Sequence, residues 1–595
     1  MRRPLLNVVL AIGFFAVSAA IVIARGSPAG AYEASIYTAT PGGTWAALSV
    51  ALAIAVATTL STRGRTQAIA ISLGALSVTT IVSLPSLRNY RFAGMGDAMT
   101  HLGWTRDFLA GSMYPHELFY PSLHSLTAAI SLVGGVPLER AMLLTIVIFF
   151  VPFVMFVPLV VRDMTGSGLA VAFGAIVSWF VLPINNVATH MGAHTNSNAL
   201  FLVPVVLFAF VAYMRRQPGA STLPAGVSPF SLLVFLSAIG LLLIHPQQMI
   251  NVVIIFGAVS AIQFVSRWWQ SDHPMSHHSA AYSHTFVLGG IFLVWAAANE
   301  RFRRAFAGLV SGIFSADVGA GSEVGQRGGS LTEIGGSLGE LFVKMFLVSA
   351  VIGIVVALFV LLTWLGRTRT DGDLTSLITY LGVALVPLGL MFVVYAVGTP
   401  TMAFRQVGFI YVLLTILGGV ALGHGFGWLS GVITTPGANT VAVSFVGVCL
   451  VLSLMTVFAS PLIYSPTQHV SDGTYHGYNS AFTHAESETP LAGFGFGVTR
   501  YSHGLDGVEV SERGYAAGPD ATVDPAAFNA GDYPGAFPPD RYYFLVTSHD
   551  ETRELEVYGE LHHQQAALEG VESDQGANKI LTNGEFRMYA VSEDL

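Results

Sequence analysis

The chain is poor in charge. Only 10% of its 595 residues are Asp, Glu, Lys or Arg, where a soluble globular protein carries about a quarter. With 53% hydrophobic residues and a mean hydropathy of +0.62, that scarcity excludes an ordinary soluble enzyme. Cysteine is almost absent: Cys449 stands alone inside an apolar run, so no disulfide framework exists within the chain and any soluble part folds by packing. Lysine is almost absent too, with Lys344 and Lys579 the only two among 27 basic residues. Also missing are a 20–50-residue repeat and the inverted pair of broken helices expected of many secondary transporters. The net charge of -8 conceals a division. Residues 465–595 hold 21 acids and 6 bases, a tail at -15 against a remainder at +7.

What is present in quantity is the apolar run. A spanning helix needs about 20 mainly apolar residues. Thirteen such runs occur, near residues 5–24, 43–62, 66–87, 141–161, 167–187, 196–214, 227–244, 249–266, 283–299, 344–366, 374–398, 406–424 and 441–460. The first is longer than a signal-peptide core and lacks a small-residue cleavage site before Arg25, so it reads as an anchor. With thirteen spans, the arginines of the short connectors (Arg2/Arg3, Arg63/Arg65, Arg162, Arg215/Arg216, Arg267, Arg367/Arg369) fall on one side, the cytoplasm. The N-terminus is then cytoplasmic. The short apolar stretch 123–136 reads as a half-helix.

The expected organisation is an all-α polytopic membrane domain, residues 1–464, with outer loops 88–124, 189–198 and 300–344, followed by a small acidic α+β domain, residues 465–595, outside the cell membrane. In that tail, 542–547 reads as a strand, 551–567 as a helix, 579–591 as a hairpin turning at Asn583-Gly584, and 514–539 as a linker or long loop within the domain. The histidines His273, His277, His278 and His284 read as a solvated cytoplasmic loop.

The first outer loop carries the most chemistry: Gly94-Met-Gly-Asp97, His101, Arg106-Asp107, then Tyr114-Pro and Tyr120-Pro-Ser-Leu-His124. Asp97 and His101, spaced i,i+4, share a helix face, where a carboxylate and an imidazole can share a proton or hold a metal. A capped interfacial helix, with Asp97 as its N-cap and Trp104, Phe108 and Tyr114 as interface anchors, is the competing reading. An outer loop of the form Gly96-Asp97-Ala-x-x-His101-Leu, a following Arg106-Asp107, Tyr-Pro-x-Leu-His and an apolar helix resembles the GT-C class of polytopic glycosyltransferases, which includes the mannosyltransferases that use polyprenyl-phosphate sugars and the oligosaccharyltransferases. The resemblance implies a sugar donor on polyprenyl (dolichyl-type) phosphate, a glycan or glycoprotein acceptor, inverting displacement, and Asp97 as the acidic residue of the first loop, with His101 and Asp107 beside it. Mannose is the sugar that family frequency favours.

The second outer bend departs from that pattern. It offers His190, His194, Asn196 and Asn198 but no carboxylate, which leaves two options: a polar lining for sugar hydroxyls, or a divalent ion such as Mg or Mn held by Asp97, His190 and His194. Further substrate-binding candidates are Arg91, Arg106, His124, His245 in His-Pro-Gln-Gln, Arg303 and Arg304 in a basic amphipathic segment, and Arg405 alone at the outer end of a span, where a single charge calls for a partner. Membrane lipids are the surroundings, and nothing in the pattern points to nucleic acid. The rival classes are a flippase or transporter of lipid-linked sugars, disfavoured because no run has an internal Asp or Glu, and a non-catalytic scaffold displaying the tail. The Arg-over-Lys bias and acidic tail resemble proteins of salt-loving archaea, in which salt near 1 M screens self-repulsion over about 3 Å.

Overall fold

The computed structural model describes residues 3–593 except 183–190, 216–221, 270–272, 315–330, 487, 496, 515–520 and 540. Each of the thirteen apolar runs contains a helix. Ten helices among the described residues, from Pro4–Arg25 to Pro436–Leu454, are long and apolar enough to cross a membrane. Shorter apolar helices are Ser122–Gly134, Gly168–Trp179, Pro229–Ile244 and Tyr282–Ala298. The 13-residue Ser122–Gly134 helix stops where Gly135 takes a left-handed φ of 62°. At 1.5 Å per residue it reaches about 20 Å, short of an apolar layer of about 30 Å.

Small residues set the helix crossings that place the site. The Gly168–Trp179 helix lies directly on Pro400–Val432: a Cβ on Gly419 would fall 2.8 Å from the Gly174 nitrogen, and one on Gly423 would fall 2.8 Å from the Ala170 Cβ. Close backbone approach of this kind supplies the packing that apolar surroundings do not drive. It centres the Pro400–Val432 helix, with Phe409, Val412, Leu413, Ile416 and Val420 fully buried and Arg405 near its first turn.

At one end of the bundle, Arg215 pairs with Asp373 at 2.8 Å and Arg267 donates to the His278 carbonyl at 2.8 Å. The histidine cluster expected to be solvated is divided here. His278 is buried between Asp373 (2.6 Å) and the Tyr380 hydroxyl (3.2 Å), and His284 is buried against Ser231 (2.8 Å). Each fills a polar need between helices that the loop sequence does not reveal.

The tail closes the other end. β1 (Phe92–Ala93) of the first long loop pairs antiparallel with β2 (His469–Val470). A four-stranded sheet follows in the order β3 (Leu491–Gly493), β4 (Tyr542–Thr547), β6 (Phe586–Val591), β5 (Ala577–Thr582), with β3 parallel to β4 and the others antiparallel. The β5–β6 hairpin turns at Asn583-Gly584, where Gly584 has φ 91°. All of β4 is buried because it has two covered faces. Tyr542, Phe544 and Val546 enter the tail's own core with Phe494, Phe528 and Tyr589, while Tyr543 and Leu545 join the core that continues into the membrane helices.

One expectation for the tail gives way and another is narrowed. The stretch 551–567 is not one helix: Ser548–Glu551 runs into a π-helical turn, Thr552–Val557, the chain reverses where Gly559 and Glu560 have φ of 56° and 65°, and helix resumes at Gln565–Gly570. The reversal brings His563 onto the Phe494 ring at 3.9 Å and beside buried Glu554. Of the two readings of 514–539, the long loop within the domain fits and the linker does not: Phe528 and Tyr533 are core residues and Pro525–Asn529 is helical.

Candidate functional site

Asp97 is placed by the turn before it. Gly94 and Gly96 have φ of 135° and 61°, and a Cβ on Gly94 would lie 2.6 Å from the Ala98 Cβ, so only glycine there leads from β1 directly into the Asp97–Ala110 helix. Gly96, not Asp97, occupies the N-cap; Asp97 is the first helical residue, where a negative charge suits the helix dipole. Its side chain is 54% exposed and ion-pairs with Arg500 at 2.9 Å. One turn on, buried His101 meets buried His124 through Nδ1···Nε2 at 3.0 Å. Trp104 and Tyr120 pack edge-on against His101, and Arg301 lies over the Trp104 ring at 5.7 Å.

The facing wall comes from two breaks between membrane helices. His194 caps the Thr195–Leu200 helix, its Nδ1 3.0 Å from the Ser197 hydroxyl. At the Pro229–Ile244/Pro246–Trp269 break, His245 stacks on Tyr120 with centroids 5.5 Å apart. Buried Asn196 joins the two breaks: its Nδ2 donates to the Gln247 Oε1 at 2.8 Å and lies 3.3 Å from the His245 Nδ1, and its Oδ1 accepts from Gln248 at 3.0 Å.

The electrostatics place these residues around one space. Burial brings the His194 imidazole down to about 4, with the Arg405 guanidinium adding to the effect and the Asp97 carboxylate opposing it. Burial also holds His245 well below its ordinary range, reinforced by Arg405 and His194. His101 is depressed by burial, then by His124, His194, His245 and Arg301. Burial raises the Tyr120 phenol, while Arg301 and Arg405 pull against it. The three imidazoles are thus neutral at pH 7 and serve as hydrogen-bonding groups without charge. Arg405 is half-buried and makes no hydrogen bond or ion pair among the described residues. Among the described residues, the Asp97 carboxylate and the Arg405 guanidinium therefore act on one neutral polar and aromatic lining at one end of an apolar bundle.

The chain is similar in structure to the oligosaccharyltransferase of Archaeoglobus fulgidus. The likeness to that protein in complex with Zn and sulfate has a TM-score of 0.46 and 14% identity, covering 87% of this chain and 73% of that one. With the same protein tethered by a disulfide to an acceptor peptide containing the NVT sequon, the values are 0.44 and 13%, over 87% and 74%. No family model and no curated protein matches the chain. Similarity this distant assigns no activity.

The other candidates lie elsewhere. Asp107 is buried, and its Oδ2 accepts from the Val508 nitrogen at 2.9 Å and the Glu509 nitrogen at 3.3 Å. Arg106 binds Glu139 at 2.5 Å, the Tyr475 hydroxyl at 2.8 Å and the Gly504 carbonyl at 2.6 Å. Arg91 lies 3.8 Å from Glu139 and over the Tyr475 ring at 4.2 Å. These three tie the first loop to the tail. Arg304 pairs with Glu300 on an exposed helix face, and Arg303 donates to the Ala297 carbonyl.

Of the metal candidates, Asp97 is paired with Arg500, His194 is engaged in its cap, and His190 lies outside the described residues. Among the described residues no three His, Cys, Asp or Glu are grouped to hold a metal ion. Among the described residues, a single carboxylate beside an arginine does not fit Mg or Mn, which take mostly oxygen ligands. Sequence reading named Tyr120 and Gln247 only within their motifs and missed Arg301 and Arg500. The last had a faint signal: Arg500 and His503 are spaced i,i+3, one helix face, in a tail that otherwise lacked chemistry.

Proposed function

We propose that this chain is a membrane glycosyltransferase of GT-C type, moving a hexose such as mannose from a polyprenyl (dolichyl-type) phosphate to a glycan or glycoprotein acceptor at the outer membrane surface. The observation that carries the reading is Arg405: a guanidinium without an ion-pair partner among the described residues, at the end of an apolar helix, within electrostatic reach of Asp97 and acting with it on His194. An amphiphile with an isoprenoid tail and an anionic head suits that layout. The lipid phosphate sits at Arg405, with Arg301 at the rim; arginine forks bind phosphate oxygens in pairs.

Asp97 accepts the proton of the acceptor hydroxyl as general base. The acceptor oxygen bonds to the anomeric carbon, the carbon–oxygen bond to phosphate breaks, and that electron pair leaves on the phosphate, where Arg405 stabilises the added charge. One displacement inverts the anomeric configuration. His101, His194, His245 and Asn196 donate to and accept from sugar hydroxyls, and Trp104 and Tyr120 supply apolar ring faces. Asp107, Arg106 and Arg91 hold the loop in place. No step is routed through a metal.

The test is transfer of labelled sugar from polyprenyl-phosphate mannose by the purified protein and its Asp97→Asn and Arg405→Ala variants. A loss on the order of 10²-fold or more in each folded variant is expected; full activity in both overturns the reading.

A further inference from the structure

The Glu300–Phe314 helix joins the ends of two apolar helices. It begins two residues after Tyr282–Ala298 stops, and Phe302 packs back on Phe292 and Trp295 of that helix, with ring centroids 5.7 and 5.9 Å apart. At its far end, a Cβ on Gly312 would lie 3.0 Å from the carbonyl carbon of Gly398, the last residue of the Gly372–Gly398 helix. From Phe302 to Gly312 is about 15 Å of helix. The axis therefore runs from the end of one apolar helix to the end of another, along the edge of the apolar layer. Both helices expose apolar side chains close to those ends, Leu293 and Val294 on one and Val393 and Val397 on the other, so lipid reaches the level of the connecting helix.

That helix has an apolar arc of its own. At 3.6 residues per turn, Phe302, Phe306, Leu309 and Val310 fall within about 100°, and Glu300, Arg304 and Ser311 face away from them. Phe306 is 55% exposed and Val310 is exposed as well. Arg303 borders the arc, roughly 20° beyond Val310. One of its N–H groups donates to the Ala297 carbonyl at 2.9 Å, and the others have no partner among the described residues. Arg304, opposite the arc, is held by Glu300 at 3.2 Å. A guanidinium at the rim of an apolar face reaches the height of lipid phosphates, which it binds through paired N–H groups. We infer that Glu300–Phe314 is an in-plane membrane anchor: its apolar arc enters the acyl layer, and Arg303 binds the phosphate of an anionic bilayer lipid. Arg301 of the same helix lies over the Trp104 ring at 5.7 Å, which ties this seating to the candidate site.

The test uses the full-length protein in phosphatidylcholine nanodiscs containing phosphatidylglycerol. In a Cys449→Ser background, a fluorophore is attached at Phe306→Cys or at Ser311→Cys, with Val310→Cys in place of the former if that variant does not fold. Lipid carrying a nitroxide on its acyl chain quenches the label at 306 several-fold more than the label at 311, and aqueous acrylamide gives the opposite order. Equal quenching at the two positions, or the reverse order, overturns the membrane seating. For the phosphate, nitroxide-labelled phosphatidylglycerol is compared with nitroxide-labelled phosphatidylcholine at equal mole fraction. The anionic lipid is preferred beside position 306 by roughly fivefold, as expected for one basic residue at an anionic surface; Arg303→Gln loses that preference and Arg304→Gln keeps it. No preference in the wild type, or an unchanged one in Arg303→Gln, overturns the role of Arg303. Displacement of the labelled phosphatidylglycerol by a trace of dolichyl phosphate assigns Arg303 to the sugar donor's lipid and overturns the bilayer-lipid assignment.

Discussion

Gly103→Ala puts one methyl group between two helices that touch backbone to backbone. The added Cβ would lie 2.9 Å from the His503 carbonyl carbon and 3.1 Å from the Val508 Cγ2, and closer still to the His503 carbonyl oxygen. Carbon contacts relax at about 3.5–4.0 Å, so the Gly497–Asp506 helix must retreat by roughly 0.6–1 Å. Overpacking of this size costs about 1–3 kcal/mol, and alanine in place of a helical glycine returns about 1 kcal/mol. Stability therefore falls by at most about 2 kcal/mol. Activity suffers more, because Arg500 is on the displaced helix and a misplacement near 1 Å can cost about 10²-fold in rate. Turnover of polyprenyl-phosphate mannose is expected to drop about 10–100-fold, while thermal unfolding in detergent shifts only slightly. Gly504→Ala is the contrast. Its Cβ meets the thioether end of Met99, with the sulfur at 3.3 Å, and that flexible end swings aside. Gly103→Ala at wild-type turnover, or Gly504→Ala equally damaged, refutes the proposed coupling between this crossing and the site.

Glu139→Gln leaves Arg106 and Arg91 facing a neutral amide. Both guanidinium side chains are about a quarter exposed (27% and 28%), so the loss is about 2 kcal/mol, below the 3–5 of a fully buried pair, read as a lower unfolding midpoint of the whole chain. Asp550 predicts an acid limit for the tail. Burial alone would raise its carboxyl, but hydrogen bonds and charges from His549, Arg553 and Thr547 outweigh burial and leave it at about 2. A depressed carboxyl contributes stability above its unfolded pKa of about 4 that is lost as pH falls through the folded value. Asp550→Asn is thus expected to lower stability by about 2 kcal/mol at pH 7 and to lose that deficit progressively from pH 4 to 2, followed by urea unfolding at each pH. A deficit that does not change with pH counts against it.

Particular residues show where sequence reading reached and where it stopped. Asp97 stood out because Gly-x-Gly before a polar helix start is a local signal, and the turn it implies forms with both glycines at positive φ. Arg405 stood out because one charge among apolar residues is costly. His194 and His245 were visible as polar breaks between spans, though not as neighbours of one space. Asp107, ten residues along the same helix and on a neighbouring face, was a candidate beside Asp97, yet it is buried and accepts from the start of a tail helix; nothing local distinguishes a carboxylate that caps another helix from one that faces a cleft. Arg500 was hidden because its meaning lies wholly in a partner 403 positions away from it, His503's contact Thr100 among the same set.

The sequence by itself determined the apolar helices, the acidic tail with its β-hairpin, and the residue types available for chemistry, since each follows from composition and short-range periodicity that a single segment carries. The tertiary structure alone decided which of those residues meet. Glycine crossings bring the tail helix against the first loop, and that contact pairs Arg500 with Asp97. The physical reason is that an ion pair depends on distance in space: charges far apart in the chain acquire a common role only when packing removes the separation between them.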